Sequence, residues 1–269
     1  MNTTYRIMLI LGCFLLGFFL VMAAFPDAFT PYGLKDMARP WLAPSAEHLL
    51  GTNSLGYDIF TELVHGTRET LLIGLSGSIQ MIALGTVIGM LSTLNGFPGA
   101  LFNGLINIFM LLPGLVTLIV LSAFVGHSTM NLIFLIAVFS WVGTARNVRA
   151  RVIHLNSQPF IESCVVQGYS RLHIIFYHIL PNLYDLLLSR FLMGINSCIM
   201  MESTLSFLGI GDVYHPTWGT MVNLAYRRGA FMRRAFHYLL PPGACIMLLC
   251  LSFYFISLGL QSRRSEIDL

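Results

Sequence analysis

The sequence predicts an all-α polytopic membrane protein with about six transmembrane helices. Of its 269 residues, 56% are apolar and only 10% are charged, whereas soluble domains carry about 25% charged residues. The apolar residues are gathered into runs that approach the roughly 20 residues needed to cross a bilayer. Because backbone polar groups in lipid must be paired within the protein, we expect these runs to be helices.

The predicted spans are separated by loops of very different length. The first span follows Arg6, and we interpret it as retained because it is longer than the apolar core of a signal peptide. We divide the chain into 1–70, a first helix with an external loop, and 71–269, a transmembrane core whose longest basic loop is 146–182. The six spans are 8–25, 71–93, 101–124, 131–145, 183–206 and 240–260.

Arginine residues predict the orientation of the chain. They lie before the first span, in loop 146–182 and after the sixth span, as Arg6, Arg146, Arg149, Arg151, Arg171, Arg263 and Arg264. Six spans place these three sites on one side, which the positive-inside rule identifies as cytoplasmic. Both termini are therefore expected inside, and loop 26–70, with three basic and six acidic residues, outside.

One loop conflicts with this assignment. Residues 207–239 are expected outside, yet they contain four arginines against Asp212: Arg227, Arg228, Arg233 and Arg234. A single span separates this loop from loop 146–182, so the two cannot share a side. We place loop 207–239 outside because three basic sites outweigh one, with a re-entrant fifth segment as the alternative.

A short helical hairpin is predicted within loop 146–182. Ser157 and Ser170 suit the N-caps of two helices, and Gly168 suits a left-handed turn between them. Glu162 lies in the first turn of the first helix, where the helix dipole favours a carboxylate. The local pattern alone is equally compatible with an ordinary interfacial loop in which Glu162 only caps a helix.

The spacing of this hairpin resembles the EAA loop of ABC importer permeases. That loop carries Glu-Ala-Ala, then Gly, then Leu-Pro at fixed offsets, and Glu162, Gly168 and Leu180-Pro181 keep those offsets. Ser163 and Cys164 replace the two alanines. The resemblance implies that these residues couple the chain to an ATPase: Glu162, Ser163, Cys164, Gly168, Ile179, Leu180 and Pro181.

Two further segments resemble the dipeptide, oligopeptide and nickel class of these permeases. Gly51 to Phe60 looks like its Gly-Thr-Asp-x-x-Gly-Arg-Asp segment, from which Asn53 and Tyr57 depart. Glu202 to Gly211, followed by Trp-Gly, looks like the segment that ends its fifth span. Together they indicate the C-type member of two paired permeases, although the C-terminus lacks the usual acidic tail.

The resemblance implies a methionine-importer-like core that forms half of a pore in the bacterial inner membrane. A sister permease would supply the other half, two ATPases would bind ATP and Mg²⁺ below, and a soluble binding protein would deliver substrate above. The implied substrates are short peptides, nickel or its chelates, or opine-type metallophores. No cofactor, covalent chemistry or nucleic-acid partner is expected of this chain, which has no GxxxxGK[ST] loop.

Polar residues in the fifth predicted span are candidates for the translocation pathway, because ionisable groups in lipid usually face a cavity or each other. Asn196, Met200 and Glu202 are the candidate pathway or gate residues. The alternative for Glu202, near the external end, is a carboxylate that is hydrogen-bonded to the following loop. Asp185 and Arg190 lie near the cytoplasmic end and are interpreted as structural.

No metal site is predicted. Imidazole ligates nickel well, but no His-x-x-His or CxxC spacing occurs among the external histidines or the five cysteines. The external histidines are His48, His65, His127, His215 and His237.

The alternative function is a secondary transporter or channel that works alone. An inverted-repeat carrier would show a second Gly/Pro-broken half in register, which this chain lacks. An intramembrane enzyme would need a catalytic pair on the spans, and none is present. The sequence leaves open the substrate, the identity of the partner subunits and the pore-lining residues.

Overall fold

The computed structural model describes residues 3–126, 128–212 and 214–265. Five helical segments there are long and apolar enough to cross a membrane, and a sixth is counted if Phe97–Leu111 and Gly114–Val125, a pair bent by 92°, are one span. The prediction of about six transmembrane helices is confirmed. The helices are α1 Thr3–Ala24, α2 Ile59–Leu91, α3 Phe97–Leu111, α4 Gly114–Val125, α5 Thr129–Asn156, α6 Pro159–Val166, α7 Arg171–His173, α8 Tyr184–Phe207, α9 Trp218–Arg227 and α10 Phe236–Ser265.

Close contacts of α2 with α5 and α8 form the centre of the bundle. Ser78 of α2 donates a 2.8 Å hydrogen bond to the carbonyl of Phe191 in α8. A Cβ atom at Gly85 of α2 would lie 2.6 Å from the Cβ of Thr144 in α5. Glycine is therefore needed at this contact, since small residues let helix backbones approach closely in lipid.

The direction of α5 shows that the chain crosses between α2 and α5. A Cβ at Gly77 would contact Ile136 at 3.9 Å, and one at Gly89 would contact Val148 at 2.8 Å. Both sequence numbers rise together, so α2 and α5 run parallel. The segment between them must return across the bundle, and the bent pair of α3 and α4 makes that return.

The second helix begins at Ile59, before the predicted span 71–93, and the division at residue 70 falls inside this helix. Asp58 is its N-cap and accepts a 2.7 Å hydrogen bond from the backbone N–H of Thr61. The first turns contain buried Glu62 and Thr67. A hydropathy criterion excludes such residues, although their polar groups are paired inside the protein.

The third predicted span is not continuous. It breaks at Leu112, whose backbone is extended at φ −76° and ψ 130°, and Pro113 follows as the N-cap of α4. Proline disfavours a helical conformation in the residue before it and lacks an N–H to continue the helix. The predicted span 101–124 is therefore two helices and not one.

The arginine-rich loop 207–239 lies at the same end of the bundle as loop 26–58. Arg228 donates a 2.9 Å hydrogen bond to the hydroxyl of Ser54. The guanidinium of Arg233 lies 5.0 Å from the ring centroid of Trp41. The two loops therefore share one end, as the predicted orientation requires.

Candidate functional site

The predicted hairpin is present between α5 and α8. Its first helix is α6, and Gly168 follows with φ +81°. A Cβ at Gly168 would meet nothing within 4 Å, so the left-handed backbone, not lack of space, requires glycine there. Ser170 then caps the second helix by accepting a 3.3 Å hydrogen bond from the N–H of His173.

The predicted role of Ser157 as an N-cap is wrong. Helix α5 extends to Asn156, which leaves Ser157 as the C-cap of α5, with its hydroxyl donating to the carbonyl of His154 at 2.9 Å. Gln158 occupies the N-cap position of α6 without a side-chain hydrogen bond, and Pro159 is the first helical residue. The missing N–H of proline costs little there.

The second arm of the hairpin continues into α8. After α7, residues Ile174–Ile179 form a π-helical segment and Pro181–Leu183 a 3₁₀ turn. The N–H of Leu180 bonds to the carbonyl of Ile175 at 2.8 Å. This local widening accommodates Pro181 within a helical path, so the second arm runs into α8 without an intervening loop.

One face of the hairpin anchors it to the bundle. Ile161 and Cys164 of α6 and Ile179 of the second arm are buried, and they form one cluster with Val152 and Leu155 of α5. Cys164 and Ile179, both predicted coupling residues, therefore hold the hairpin in place. The other predicted coupling residues lie on its surface: Glu162, Ser163, Gly168 and Pro181 are exposed, and Leu180 is half-buried.

The opposite face of the hairpin exposes large apolar side chains. Val166 is 88% exposed and Tyr177 is 70% exposed. We call this surface the exposed hairpin face, and it comprises Val165, Val166, Leu172, Phe176 and Tyr177. Several large apolar side chains exposed on one short hairpin are typical of an interaction site. The sequence placed Leu172 and Phe176 on the amphipathic helix but did not show that they point away from the bundle.

An aromatic column adjoins the exposed hairpin face. The ring of His173 stacks between Tyr169 at 4.7 Å and Tyr177 at 4.5 Å, measured between centroids. The spacing of four residues places these rings on one side of the second arm. The column stiffens the surface that the hairpin presents.

At the other end of α8, Glu202 is fully buried in a network of hydroxyl groups. Its Oε1 accepts hydrogen bonds from Ser206 at 2.7 Å and from Thr217 at 2.6 Å. Ser203 donates to Oε2 at 3.3 Å. The carboxylate is thus bonded to the loop that follows α8, which is the alternative interpretation given by the sequence.

Helix α9 connects this network to α2. Thr217 and Thr220 form a reciprocal capping box at its N-terminus. The indole N–H of the adjacent Trp218 donates to the carbonyl of Leu63 at 2.9 Å. Glu202 is therefore one link in a chain of contacts that joins α8, α9 and α2 at this end of the bundle.

The three predicted pathway residues do not share one surface. Met200 is 54% exposed and Glu202 is fully buried, as expected for residues two apart on a helix, which point to opposite sides. Asn196 is half-buried, and its side-chain oxygen has no hydrogen-bond partner among the described residues. The structure thus separates the buried carboxylate from the other two side chains.

The segment Gly51 to Phe60 folds into a turn that caps α2. The side-chain oxygen of Asn53 accepts from the N–H groups of Leu55 at 2.8 Å and Tyr57 at 3.1 Å. Its Nδ2 donates to both carboxylate oxygens of Glu62 at 3.0 Å. An aspartate, as in the resembled motif, would hold the turn but would have no N–H for Glu62. Asparagine therefore suits this chain.

Two of the histidines that are predicted to be external bind carboxylates of their own loops. Nδ1 of His48 lies 2.8 Å from Oδ2 of Asp58, and Nδ1 of His215 lies 3.0 Å from Oδ2 of Asp212. The hydrogen bond to Asp212 raises the pKa of His215. Burial alone would raise the pKa of Asp212, but hydrogen bonds from His215 and from the N–H of Tyr214 lower it.

Within the described residues, no three His, Cys, Asp or Glu side chains come together as metal ligands. Among the other external histidines, His65 is half-buried with an unpaired Nε2 and His237 is half-buried. His127 lies outside the described residues.

Comparison with known families identifies the architecture. Residues 81–266 match the family model described as binding-protein-dependent transport system inner membrane component. A chain of the inward-facing MetNI methionine ABC transporter has the same fold, with a TM-score of 0.60 at 16% identity. That similarity covers 77% of this chain and 97% of the other, and it confirms the predicted methionine-importer-like core.

Several curated proteins are similar over most of their length. A putative peptide permease protein of Brucella suis is 33% identical over 84% of this chain and 76% of its own. The dipeptide transport system permease protein DppC of Alkalihalophilus pseudofirmus is 31% identical over 94% of this chain and 83% of its own. The glutathione transport system permease protein GsiD of Pectobacterium atrosepticum is 32% identical, with coverages of 81% and 72%.

Proposed function

Because this chain belongs to the family of binding-protein-dependent transport system inner membrane components, we propose that it forms half of a translocation pore for short peptides. Membership of the family makes it a multi-pass inner-membrane permease subunit of an ABC importer, which does not itself catalyse ATP hydrolysis. Such a system has an ATPase and a binding protein as partners. A sister permease that supplies the other half of the pore is part of our proposal.

The exposed hairpin face is the observation that carries the coupling role. Its apolar side chains project from the end of the bundle at which loop 146–182 lies, whereas its buried residues are fixed to α5. A short helix that enters a groove of a partner is a common recognition geometry. We assign the surface to the ATPase, with Glu162, Ser163 and Gly168 at the contact, and with Cys164, Ile179, Leu180 and Pro181 supporting the hairpin.

Peptides are the favoured substrate class because the named relatives are peptide, dipeptide and glutathione permeases. Nickel, nickel chelates and opine-type metallophores are the other substrates that the sequence resemblance suggested. No observation on the described residues favours them over peptides.

The proposed orientation places the hairpin and both termini in the cytoplasm, with loops 26–58 and 207–239 outside. The clustered arginines of loop 146–182 support it. In this orientation Glu202 lies at the external mouth, where we propose that its network holds the mouth closed until the binding protein docks. Asn196 and Met200, which lie one turn apart on α8 and away from Glu202, are proposed to face the pathway.

Reconstitution tests this function against a transporter that works alone. The chain is placed in proteoliposomes with its sister permease, ATPases and peptide-loaded binding protein, and uptake of radiolabelled alanyl-alanine is measured. We expect uptake to require both internal ATP and the ATPases. Uptake that persists without the ATPases, driven by an ion gradient, would show a secondary transporter instead.

A further inference from the structure

Two arginines line adjoining grooves that are bordered by α5 and α8. A groove of about 550 Å³ lies between the bend of α3 and α4 and the helices α5 and α8, and Arg146 and Arg190 both line it. A second groove of about 280 Å³ runs further along α8 and shares Gly143 and Arg190 with the first. We call the two together the arginine groove.

The charge of the arginine groove is not neutralised by the described residues. Arg146 has a 3.9 Å contact with the sulfur of Met110, and Arg190 has no hydrogen bond or ion pair to a described residue. No carboxylate lines either part of the groove. Arg190 lies inside a candidate membrane span, where an ionisable side chain usually faces a cavity and marks a pathway. Arg146 directly follows the fourth predicted span, at the start of loop 146–182.

The backbone of the third crossing is also broken at this place. Leu112 and Gly114, on either side of Pro113, line the same groove. Non-helical backbone at membrane depth is tolerated where it is covered by protein or lines a water-filled cavity. The break is therefore in keeping with a groove that is open to water, and the first N–H groups of α4 add positive partial charge beside the guanidinium groups.

We propose that the arginine groove binds a carboxylate of the substrate during translocation, with Arg190 as the principal ligand and Arg146 as the second cation. This inference rests on the proposed function for its substrate class. A planar guanidinium pairs well with a carboxylate, and short peptides carry one at their C-terminus. The interpretation of Arg190 as merely structural, which its position near the cytoplasmic end suggested, is replaced by this role.

A charged-reagent assay tests the groove without any substrate. Gly143 lines both parts of the groove, and a Cβ there would meet nothing within 4 Å, so Gly143→Cys is a suitable reporter. The complete complex, with this chain otherwise cysteine-free, is treated with an anionic sulfonatoethyl or a cationic trimethylammonioethyl methanethiosulfonate. The ratio of the two labelling rates cancels any effect of the site on the thiol pKa, because both reagents attack the same thiolate. This ratio is divided by the ratio for free 2-mercaptoethanol, which removes the difference in intrinsic reactivity between the reagents.

We expect the corrected ratio to favour the anionic reagent by about tenfold, the lower range of electrostatic focusing in a charged cleft. Arg190→Gln should abolish most of this preference, and Arg190→Lys should retain it. Arg39→Gln, which removes an exposed arginine of the distant loop 26–58, should leave it unchanged. A corrected ratio near one in the chain with Arg190 present would overturn the proposal. An acidic residue of the sister permease that neutralised the groove would give this result too, and the groove could then not bind a carboxylate.

Transport then tests the ligand. With saturating loaded binding protein, Arg190→Gln should lower the maximal uptake of alanyl-alanine by about tenfold, the scale of one charge-assisted hydrogen bond, and Arg190→Lys should restore most of it. Uptake of the C-terminal amide should change little. Equal losses for peptide and amide would contradict carboxylate recognition. If the unaltered complex transports no peptide while the labelling preference persists, the proposed substrate class is wrong and the attraction of the arginine groove for anions stands.

Discussion

The hydroxyl of Thr217 donates a 2.6 Å hydrogen bond to Oε1 of the fully buried Glu202. This bond connects the residue that caps α9 to the C-terminal end of α8, and Trp218, the next residue, continues the connection to α2. The mouth of the proposed pore is thus held by polar contacts between helices. Rearrangement of this end of α8 would disturb all three helices.

Replacement of Glu202 tests this network. Glu202→Ala removes the acceptor of Ser206 and Thr217 and should destabilise the network by about 1–3 kcal/mol, the cost of buried polar groups left unpaired. Glu202→Gln keeps an acceptor oxygen and should retain much of the geometry. We expect the alanine variant to hydrolyse ATP in the reconstituted complex without requiring the binding protein.

The exposed Glu47 provides the matched control at the same end of the molecule. Glu47→Ala should retain normal dependence of ATP hydrolysis on the binding protein. If Glu202→Ala also shows normal stimulation and normal uptake, the role of Glu202 at the pore mouth should be abandoned.

The contact of α2 with α5 predicts a steric effect of one methyl group. Gly85→Ala would place a Cβ 2.6 Å from the Cβ of Thr144, and overpacking of this kind costs about 1–3 kcal/mol. The melting temperature of the purified complex should fall. Gly104→Ala, in α3 where a Cβ meets nothing within 4 Å, should leave it unchanged or raise it. Equal melting temperatures for the two variants would show that the helices readily separate at Gly85.

Thiol labelling tests the orientation. In a cysteine-free background, a membrane-impermeant reagent should label Leu55→Cys and Met232→Cys in cells with a permeabilised outer membrane, because both side chains are exposed on the shared external end. Val166→Cys should react only after the inner membrane is opened. Met232, which is 91% exposed, is a suitable reporter of loop 207–239. The reverse pattern would place the hairpin outside and contradict the model of the importer.

The pair of Asp212 and His215 predicts a small pH dependence. Because the pKa of His215 is raised in the folded protein, the protonated side chain stabilises the fold fully at pH values below the unfolded pKa of 6.5. This stabilisation is lost as the pH rises through the folded pKa. The lowered pKa of Asp212 means that its effect is present above 3.8 and is lost only as pH falls through a still lower value. His215→Gln should therefore lower the melting temperature more at about pH 5.5 than at about pH 8.5.

A double variant isolates this pair from Glu69, whose charge also raises the pKa of His215. In the Asp212→Asn background, most of the pH-dependent effect of His215→Gln should disappear, as expected for a coupling between the two residues. If the pH-dependent effect of His215→Gln is unchanged in the Asp212→Asn background, the effect comes from Glu69.

Hydropathy and spacing predicted most of the architecture because a helix in lipid needs only length and apolar composition. They failed where polar groups are satisfied inside the protein, as in the buried first turns of α2, for which Asp58 three residues before Thr61 was the available indication of an N-cap. Pro113 likewise indicated the break in the third crossing. The direction of the side chains could not be predicted from the sequence pattern. The exposure of Val166 and the position of Arg146 and Arg190 on one groove depend on how α5, α6 and α8 pack.

Loop 207–239, whose arginines conflicted with its predicted side, also depends on tertiary contacts. Four arginines in 207–239 weighed against an external position when only charge was counted. The structure uses two of them, Arg228 and Arg233, in contacts with Ser54 and Trp41. Their positions follow from tertiary contacts between distant loops, which no local sequence pattern shows.

The central claim is that the hairpin couples this permease to an ATPase, and recovery of the ATPase with affinity-tagged permease tests it most directly. Gly168→Val forces a β-branched side chain into a backbone at φ +81° and should tilt the exposed hairpin face. Gly229 has the same φ of +81° and equally open space, in loop 207–239, so Gly229→Val imposes the same local strain away from the hairpin. Gly168→Asn, which tolerates a left-handed backbone, should behave nearly normally.

We predict that Gly168→Val inserts into the membrane at normal levels but recovers little ATPase and supports little uptake, whereas Gly229→Val recovers the normal amount of ATPase. Normal ATPase recovery and uptake with Gly168→Val would contradict the account.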